Sequence, residues 1–323
     1  MTPTQKVLWT IFGCLFLVFI GQLLISSSYL VSADNPQNSQ KIAGENINLP
    51  EPVKEGLVRP PEKSSEAQDP QIYAKSVILI DVQSAYVMYA KNASDKIPMA
   101  STTKIMTAIV ILEDFSDRLN DVVTISYPMI AVEGSDIQLR VGEKITVENL
   151  LKGLLIMSGN DTAFALATYF GGKDVFVAKM NEKAVFLGLK NIQYNDPAGL
   201  DEESSSTAHD LAVLASYAMR NQKFSEIVRT RETTISSADN AITHDLKSSN
   251  RMLKADEQYY YPNAIGIKTG FTNEAGHCLV SAAEKDGHMI LGVILSTDEN
   301  TVQASAKESK KLLEWGFVNW TWE

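Results

Sequence analysis

Residues 264–296 read AIGIKTGFTNEAGHCLVSAAEKDGHMILGVILS, and their reading decides the fold class. Segments 264–270, 278–283 and 289–296 are short apolar runs of strand length. Asp286-Gly287, between the last two, is a hairpin signal, so those runs pair antiparallel. Nearer the N-terminus, 77–80 and 86–89 also read as strands, with a turn around Gln83-Ser84. Between the two groups the hydrophobic period changes. Segment 101–115 places Ile105, Met106, Ile109, Val110 and Leu112 at helical spacing. Segments 147–157, 161–170, 175–187 and 209–220 continue as helices, and 304–317 is a closing helix. Two strands before the helices and three after them predict one five-stranded antiparallel sheet. Both ends of the chain complete it, helices flank it, and a mostly helical subdomain is inserted. The class is α/β, of the α+β type.

The folded part is expected over 72–323, enough for a sizeable core without disulfides. None is available there, because one of the two cysteines, Cys14, lies outside it and leaves Cys278 alone. Segment 34–71 holds six of the eleven prolines and no aromatic residue, so it reads as a disordered spacer. Segment 1–33 reads as a signal peptide or an N-terminal membrane anchor. Its run VLWTIFGCLFLVFIGQLLI, residues 7–25, carries no charge across 19 residues. That is longer than a usual cleaved signal core and close to a membrane span. Val31-Ser32-Ala33 suits cleavage, so both readings stand. Both place the remainder on the extracytoplasmic face of the cell membrane, and Lys6, with no further basic residue before Lys41, fits that orientation.

Of the 323 residues, 45% are hydrophobic and 21% charged, near a soluble globular average. That excludes a wholly disordered chain, a collagen and a polytopic membrane protein. The net charge of -10 argues against a nucleic-acid partner. Neither Cys-x-x-Cys nor His-Glu-x-x-His occurs, and His209, His244, His277 and His288 share no ligand spacing. No zinc-ligand spacing is therefore visible.

Three short motifs carry chemistry. Ser101 and Lys104 stand three apart at a helix start, so their side chains share a face. Serine needs a base to take its proton, and a lysine desolvated by Met99, Ile105 and Met106 can be that base. Ser158-Gly159-Asn160 breaks two helical patterns. Its hydroxyl can relay a proton, and the Asn160 amide can hold a substrate carbonyl. Lys268-Thr269-Gly270 ends a strand, where Lys268 and Thr269 can bind a carboxylate and Gly270 leaves room for substrate as an added strand. Each motif alone also reads as capping or turn chemistry. The combination, in this order and setting, is a serine acyl-transfer site.

The chain resembles the low-molecular-weight penicillin-binding D-alanyl-D-alanine carboxypeptidases, serine DD-peptidases. The likeness runs through 97–108 (IPMASTTKIMTA), 150–161 (LLKGLLIMSGND), 195–200 (NDPAGL), 266–272 (GIKTGFT) and 312–317 (LLEWGF). It implies a Ser101 nucleophile that forms an acyl-enzyme, Lys104 as general base and Ser158 assisting proton transfer. It implies substrate binding by Asn160, Lys268, Thr269, Gly270 and Phe271, with backbone N–H groups of Ser101 and Phe271 as the oxyanion hole. The implied partners are peptidoglycan stem peptides and, as inhibitors, β-lactam antibiotics. Some members bind the substrate carboxylate with an arginine near the C-terminal helix. No arginine follows Arg251 here, so that role is unfilled or reassigned. Longer members carry a further β-rich domain and a C-terminal membrane helix. This chain stops at Trp322-Glu323, so membrane retention is expected from the N-terminal segment. Two alternatives stand beside the carboxypeptidase: a β-lactamase, disfavoured because no Glu-x-x-Leu-Asn lies between Ser158 and Lys268, and a penicillin- or cell-wall-binding module without turnover.

Overall fold

The computed structural model describes Ala43, Gly44, Asn46 and residues 58–323. The apolar run at 7–25, with its signal or anchor reading, lies outside the described residues. Among those that are described, no helix is long and apolar enough to cross a membrane.

The sheet is built from β1 (Ala74–Asp81), β2 (Val87–Lys91), β3 (Ala264–Thr272), β4 (Gly276–Lys285) and β5 (His288–Thr297). Its order is β3-β4-β5-β1-β2, antiparallel throughout. The apolar runs in β1 and β5 are continuous because both faces of the sheet are covered. Ile78 and Ile80 enter one buried cluster with Leu291, Val293 and Leu295. Val77 and Leu79 enter a second one with Ile290, Ile294, Leu312 and Leu313. Successive strand residues alternate faces, so each face claims every second residue.

Helix α1 (Lys104–Asp114), α2 (Asn160–Tyr169) and α3 (Ala208–Met219) belong to the first side, and α4 (Ala304–Asn319) to the second. Helix α3 lies on β5 and β1 with α1 behind it, and α4 covers β4 and β5. Gly316 permits the close approach of α4, since a methyl group there would stand 2.8 Å from Ile290 Cδ1 and 2.9 Å from Leu79 Cδ2.

Three features differ from the sequence reading. The helix expected at 147–157 is α-helical only over Val147–Lys152 and then widens into a π-helical turn, Gly153–Met157. An additional hairpin pairs Glu232–Ser236 with Thr243–Lys247. The spacer reading fails at its C-terminal end. Glu62–Lys63 pairs with Trp320–Thr321, Trp315 Nε1 donates to Gln68 O at 2.8 Å, and Arg59 meets Glu323. Segment 58–71 has no aromatic residue of its own, but it borrows Trp315 and Trp320 from the far end of the chain.

Candidate active site

Ser101 sits in a 3-10 turn, Ala100–Thr103, that runs directly into α1. The two residues were expected at the start of an α-helix. The tighter turn still leaves the pair three apart and in contact. Lys104 Nζ donates to Ser101 Oγ at 2.8 Å, to Asn160 Oδ1 at 2.7 Å and to Ala198 O at 2.7 Å. Lys104 is fully buried. Desolvation lowers its pKa from 10.5 to about 7, against an opposing pull from the carboxylates of Asp196 and Asp161.

The fixed acceptors give this lysine a direction. In its neutral form it has two hydrogens and one lone pair. Asn160 Oδ1 and Ala198 O take the hydrogens, which leaves the lone pair facing Ser101 Oγ.

Both acceptors are held in turn. Asn160 Nδ2 donates to Glu133 O at 2.6 Å, so both ends of the amide already have protein partners. Its carbonyl oxygen is committed to Lys104, and Nδ2 keeps a second hydrogen beyond the one given to Glu133 O. Ala198 lies in the loop Asn195-Asp196-Pro197-Ala198-Gly199-Leu200. Asp196 collects the N–H groups of Ala198, Gly199 and Asp201 at 2.6 to 2.7 Å, which fixes the direction of the Ala198 carbonyl. Gly199 has φ +81°, and a Cβ there would lie 1.9 Å from Ala100 O, so only glycine lets this loop approach the nucleophile turn.

Ser158 follows the π-helical turn in a left-handed conformation, φ 67° and ψ 31°, which turns the chain into α2. It lines a cleft of about 640 Å³ together with Ser101, Asn160, Thr269 and Gly270. Its hydroxyl makes no hydrogen bond among the described residues. Asp161 accepts the N–H groups of Ile137 and Leu139. It thereby anchors the loop that brings Gly134 and Ser135 to the cleft.

The third motif lies on β3, an edge of the sheet. A Cβ at Gly270 would sit 3.1 Å from Met99 O and 3.3 Å from Ser101 N. The strand therefore runs hard against the nucleophile turn. Thr269 Oγ1 lies 2.7 Å from Ser249 Oγ. Lys268 is buried, and its ammonium donates to Thr269 O at 3.0 Å. Burial, and then the nearby Lys104, push its pKa well below 10.5. Phe271 is half exposed and stacks on His277 with ring centroids 4.3 Å apart. His277 and Arg251 also line the cleft, and neither was assigned a role from sequence. Among the described residues no cluster of side chains is arranged to hold a metal ion.

The structure thus brings together Ser101, Lys104, Ser158, Asn160, Thr269, Gly270 and Phe271, with Lys268 buried on the strand face that Gly270 shares, near enough to Lys104 to feel its charge. Residues 63–299 match the family model described as D-alanyl-D-alanine carboxypeptidase. The D-alanyl-D-alanine carboxypeptidase DacF of Bacillus subtilis (strain 168) is 35% identical over 250 residues, 76% of this chain and 62% of that protein. The carboxypeptidase of Streptomyces sp. (strain K15) is 35% identical over 247 residues, 72% of this chain and 82% of that protein. The crystal structure of the Streptomyces K15 DD-transpeptidase superposes with a TM-score of 0.72 at 33% identity, covering 78% of this chain and 100% of that one. The carboxypeptidase structure from Mycobacterium tuberculosis H37Rv gives 0.72 at 31%, covering 80% and 96%. The family model takes in all five central strands and the elements that carry the three motifs, and by that match the chain belongs to the D-alanyl-D-alanine carboxypeptidase family, Peptidase S11.

Proposed function

We propose that this chain is a serine-type D-Ala-D-Ala carboxypeptidase that removes the terminal D-alanine from peptidoglycan stem peptides. The observation that carries the reading is the Lys104–Ser101 contact of 2.8 Å, with the lysine pKa lowered to about 7. Neutral Lys104 takes the Ser101 hydroxyl proton as Oγ bonds to the penultimate D-alanine carbonyl carbon. Negative charge developing on the carbonyl oxygen is met by the N–H groups of Ser101 and Phe271. The C–N bond then breaks, and the leaving amine takes a proton from Lys104, with Ser158 as the relay. Water repeats the sequence on the ester and frees Ser101. A β-lactam ring presents the same carbonyl to the same serine, but its leaving amine stays tethered.

The test is D-alanine release from diacetyl-Lys-D-Ala-D-Ala by the full chain, beside Ser101→Ala and Lys104→Ala. Release by the parent alone supports the reading. Release that survives Ser101→Ala overturns the mechanism. Covalent penicillin labelling with no release shifts the assignment to a binding module, and rapid nitrocefin turnover shifts it to a β-lactamase.

We also infer that the domain works on the extracytoplasmic face of the cell membrane, attached through its N-terminal segment. The support is the uncharged run at 7–25 behind Lys6. Alkaline extraction of membranes checks this: retention of the full chain and release of a chain lacking 7–25 is the expected outcome.

A further inference from the structure

Asn160 gives Lys104 one of its fixed acceptors, and Asn160 is itself held by a wall of the cleft. Its N–H donates to Ser135 O and its Nδ2 to Glu133 O, each at 2.6 Å. Gly134, between them, lies so close that a Cβ there would stand 2.8 Å from Asn160 Nδ2. The direction of the Asn160 amide therefore depends on where segment 133–135 is fixed. Two residues further on, Ile137 is gripped at both of its backbone polar groups. Its N–H goes to Asp161, and its carbonyl accepts from His244 Nδ1 at 2.8 Å.

His244 comes from another part of the fold. It stands on Thr243–Lys247, the second strand of the additional hairpin, and is buried there. Its Nε2 meets Glu143 Oε1 at 2.8 Å, and the same carboxylate accepts the Arg140 N–H at 3.1 Å. One imidazole thus closes the loop 137–143 by touching both of its ends. Both ring nitrogens face oxygens, so the pair holds one proton more than a neutral imidazole beside a carboxylate. Two residues past the strand, Ser249 donates its N–H to Ile156 O at 2.8 Å, and its Oγ meets Thr269 Oγ1 on β3. The hairpin that carries His244 therefore ties segment 133–137 to the strand that carries the third motif. A buried ion pair is often no more stabilising than apolar side chains of the same volume. What it adds here is direction.

We propose that His244, braced by Glu143, is a positioning residue for the acylation of Ser101: it fixes the wall segment that aims Asn160 at Lys104. This rests on the acyl-enzyme step of the reading above. Without the His244 donor, the Ile137 carbonyl loses its partner and segment 133–135 loses one of its anchors. The Asn160 carbonyl oxygen then holds its Lys104 hydrogen less firmly, and the lone pair faces Ser101 Oγ for less of the time. The contacts of β3 stay in place, so the loss falls on the chemical step and not on binding.

The experiment follows acylation of Ser101 by benzylpenicillin in the full chain, by stopped flow at several penicillin concentrations. This separates the apparent binding constant from the rate constant of the chemical step. The first variant combines His244→Phe with Glu143→Leu, which replaces the pair by apolar side chains and leaves no buried charge. It is expected to fold with a melting temperature near that of the parent. Its chemical step should be about 10- to 100-fold slower, with binding within about 3-fold. If the pair only stabilised the fold, this variant would acylate like the parent. Two single variants sharpen the test. His244→Asn puts an amide where Nδ1 stands, keeps a donor for Ile137 O and restores part of the rate. His244→Gln puts the amide where Nε2 stands and does not. A folded double variant with the chemical step of the parent, a loss confined to binding, or equal rates in the Asn and Gln variants overturns the proposal. If the double variant does not fold, the Asn and Gln variants decide alone. A parent that is acylated but releases no D-alanine from diacetyl-Lys-D-Ala-D-Ala sinks the carboxypeptidase reading only, and the role of His244 is still decided by the acylation rates. A parent that penicillin does not acylate overturns both.

Discussion

Two lysines are buried a short way apart, one at the start of α1 and one in the middle of β3, and they are prepared differently. Both lose water, and both have pKa values below 10.5. Lys104 has three acceptors at 2.7 to 2.8 Å, and two buried carboxylates pull its pKa back up to about 7. Lys268 has a single close carbonyl, a hydroxyl at 3.5 Å and a like charge nearby. Desolvation alone does not make a base. What separates the two sites is the number and direction of the fixed partners. The first has all its acceptors in place without a ligand, Ser101 Oγ among them. The second draws no such pull from a carboxylate.

The largest expected effect tests that contrast directly. Lys104→Ala should slow penicillin acylation of Ser101 by about 10²–10⁴-fold, the range of a lost general base. Lys268→Ala should cost less, about 10- to 100-fold, and should appear mainly as weaker binding. Stopped-flow acylation at several penicillin concentrations separates the two, and equal losses in the chemical step would break the comparison. Next, Gly199→Ala forces a methyl group against Ala100 O in a left-handed backbone. A stability loss of about 3 kcal/mol is expected, seen as a lower melting temperature. Asp196→Asn should cost about 1–3 kcal/mol, because one of its oxygens no longer accepts an N–H. It should also move the pH midpoint of acylation downward, since the carboxylate that favours protonated Lys104 is gone.

The smallest effect is on pH dependence in the parent. Acylation should rise with pH through about 7 as Lys104 becomes the free base. Stability should follow the same direction. Below pH 7 the lysine is charged in both the folded and the unfolded chain, and folding carries the full desolvation cost. Between 7 and 10.5 the unfolded chain binds the extra proton, so this cost fades as pH rises. Chemical unfolding at pH 6 and pH 9 checks the sign.

The central sheet and its closing helix were legible because strand runs such as 77–80 and 289–296 carry a continuous apolar signal. The site motifs were legible because nucleophile, base and carboxylate binder are residue types with specific chemistry. The supporting layer was not. Asp196 aims the Ala198 carbonyl that steers Lys104 from 92 positions away in the chain, and nothing local to either marks the pairing. Segment 243–247 reads THDLK, with only His244 and Leu246 buried, too polar to announce a strand. His244 is there to bridge Ile137 O and the buried Glu143, each at 2.8 Å. Arg251 was noticed only as the last arginine; its place in the cleft depends on a turn that Ser249 ties to β3.

The pairing of Glu62–Lys63 with Trp320–Thr321 has a mechanical consequence. Both described ends of the chain leave at one place, where Trp320 packs edge-on against Tyr86 next to β2. Gly44, bonded to Val87 O at 2.8 Å, closes the same margin. Tension applied through the ends therefore opens a short ladder one bond at a time at the β2 margin. The β3 margin, where the serine works, is separated from it by three strands and lies outside the line of force.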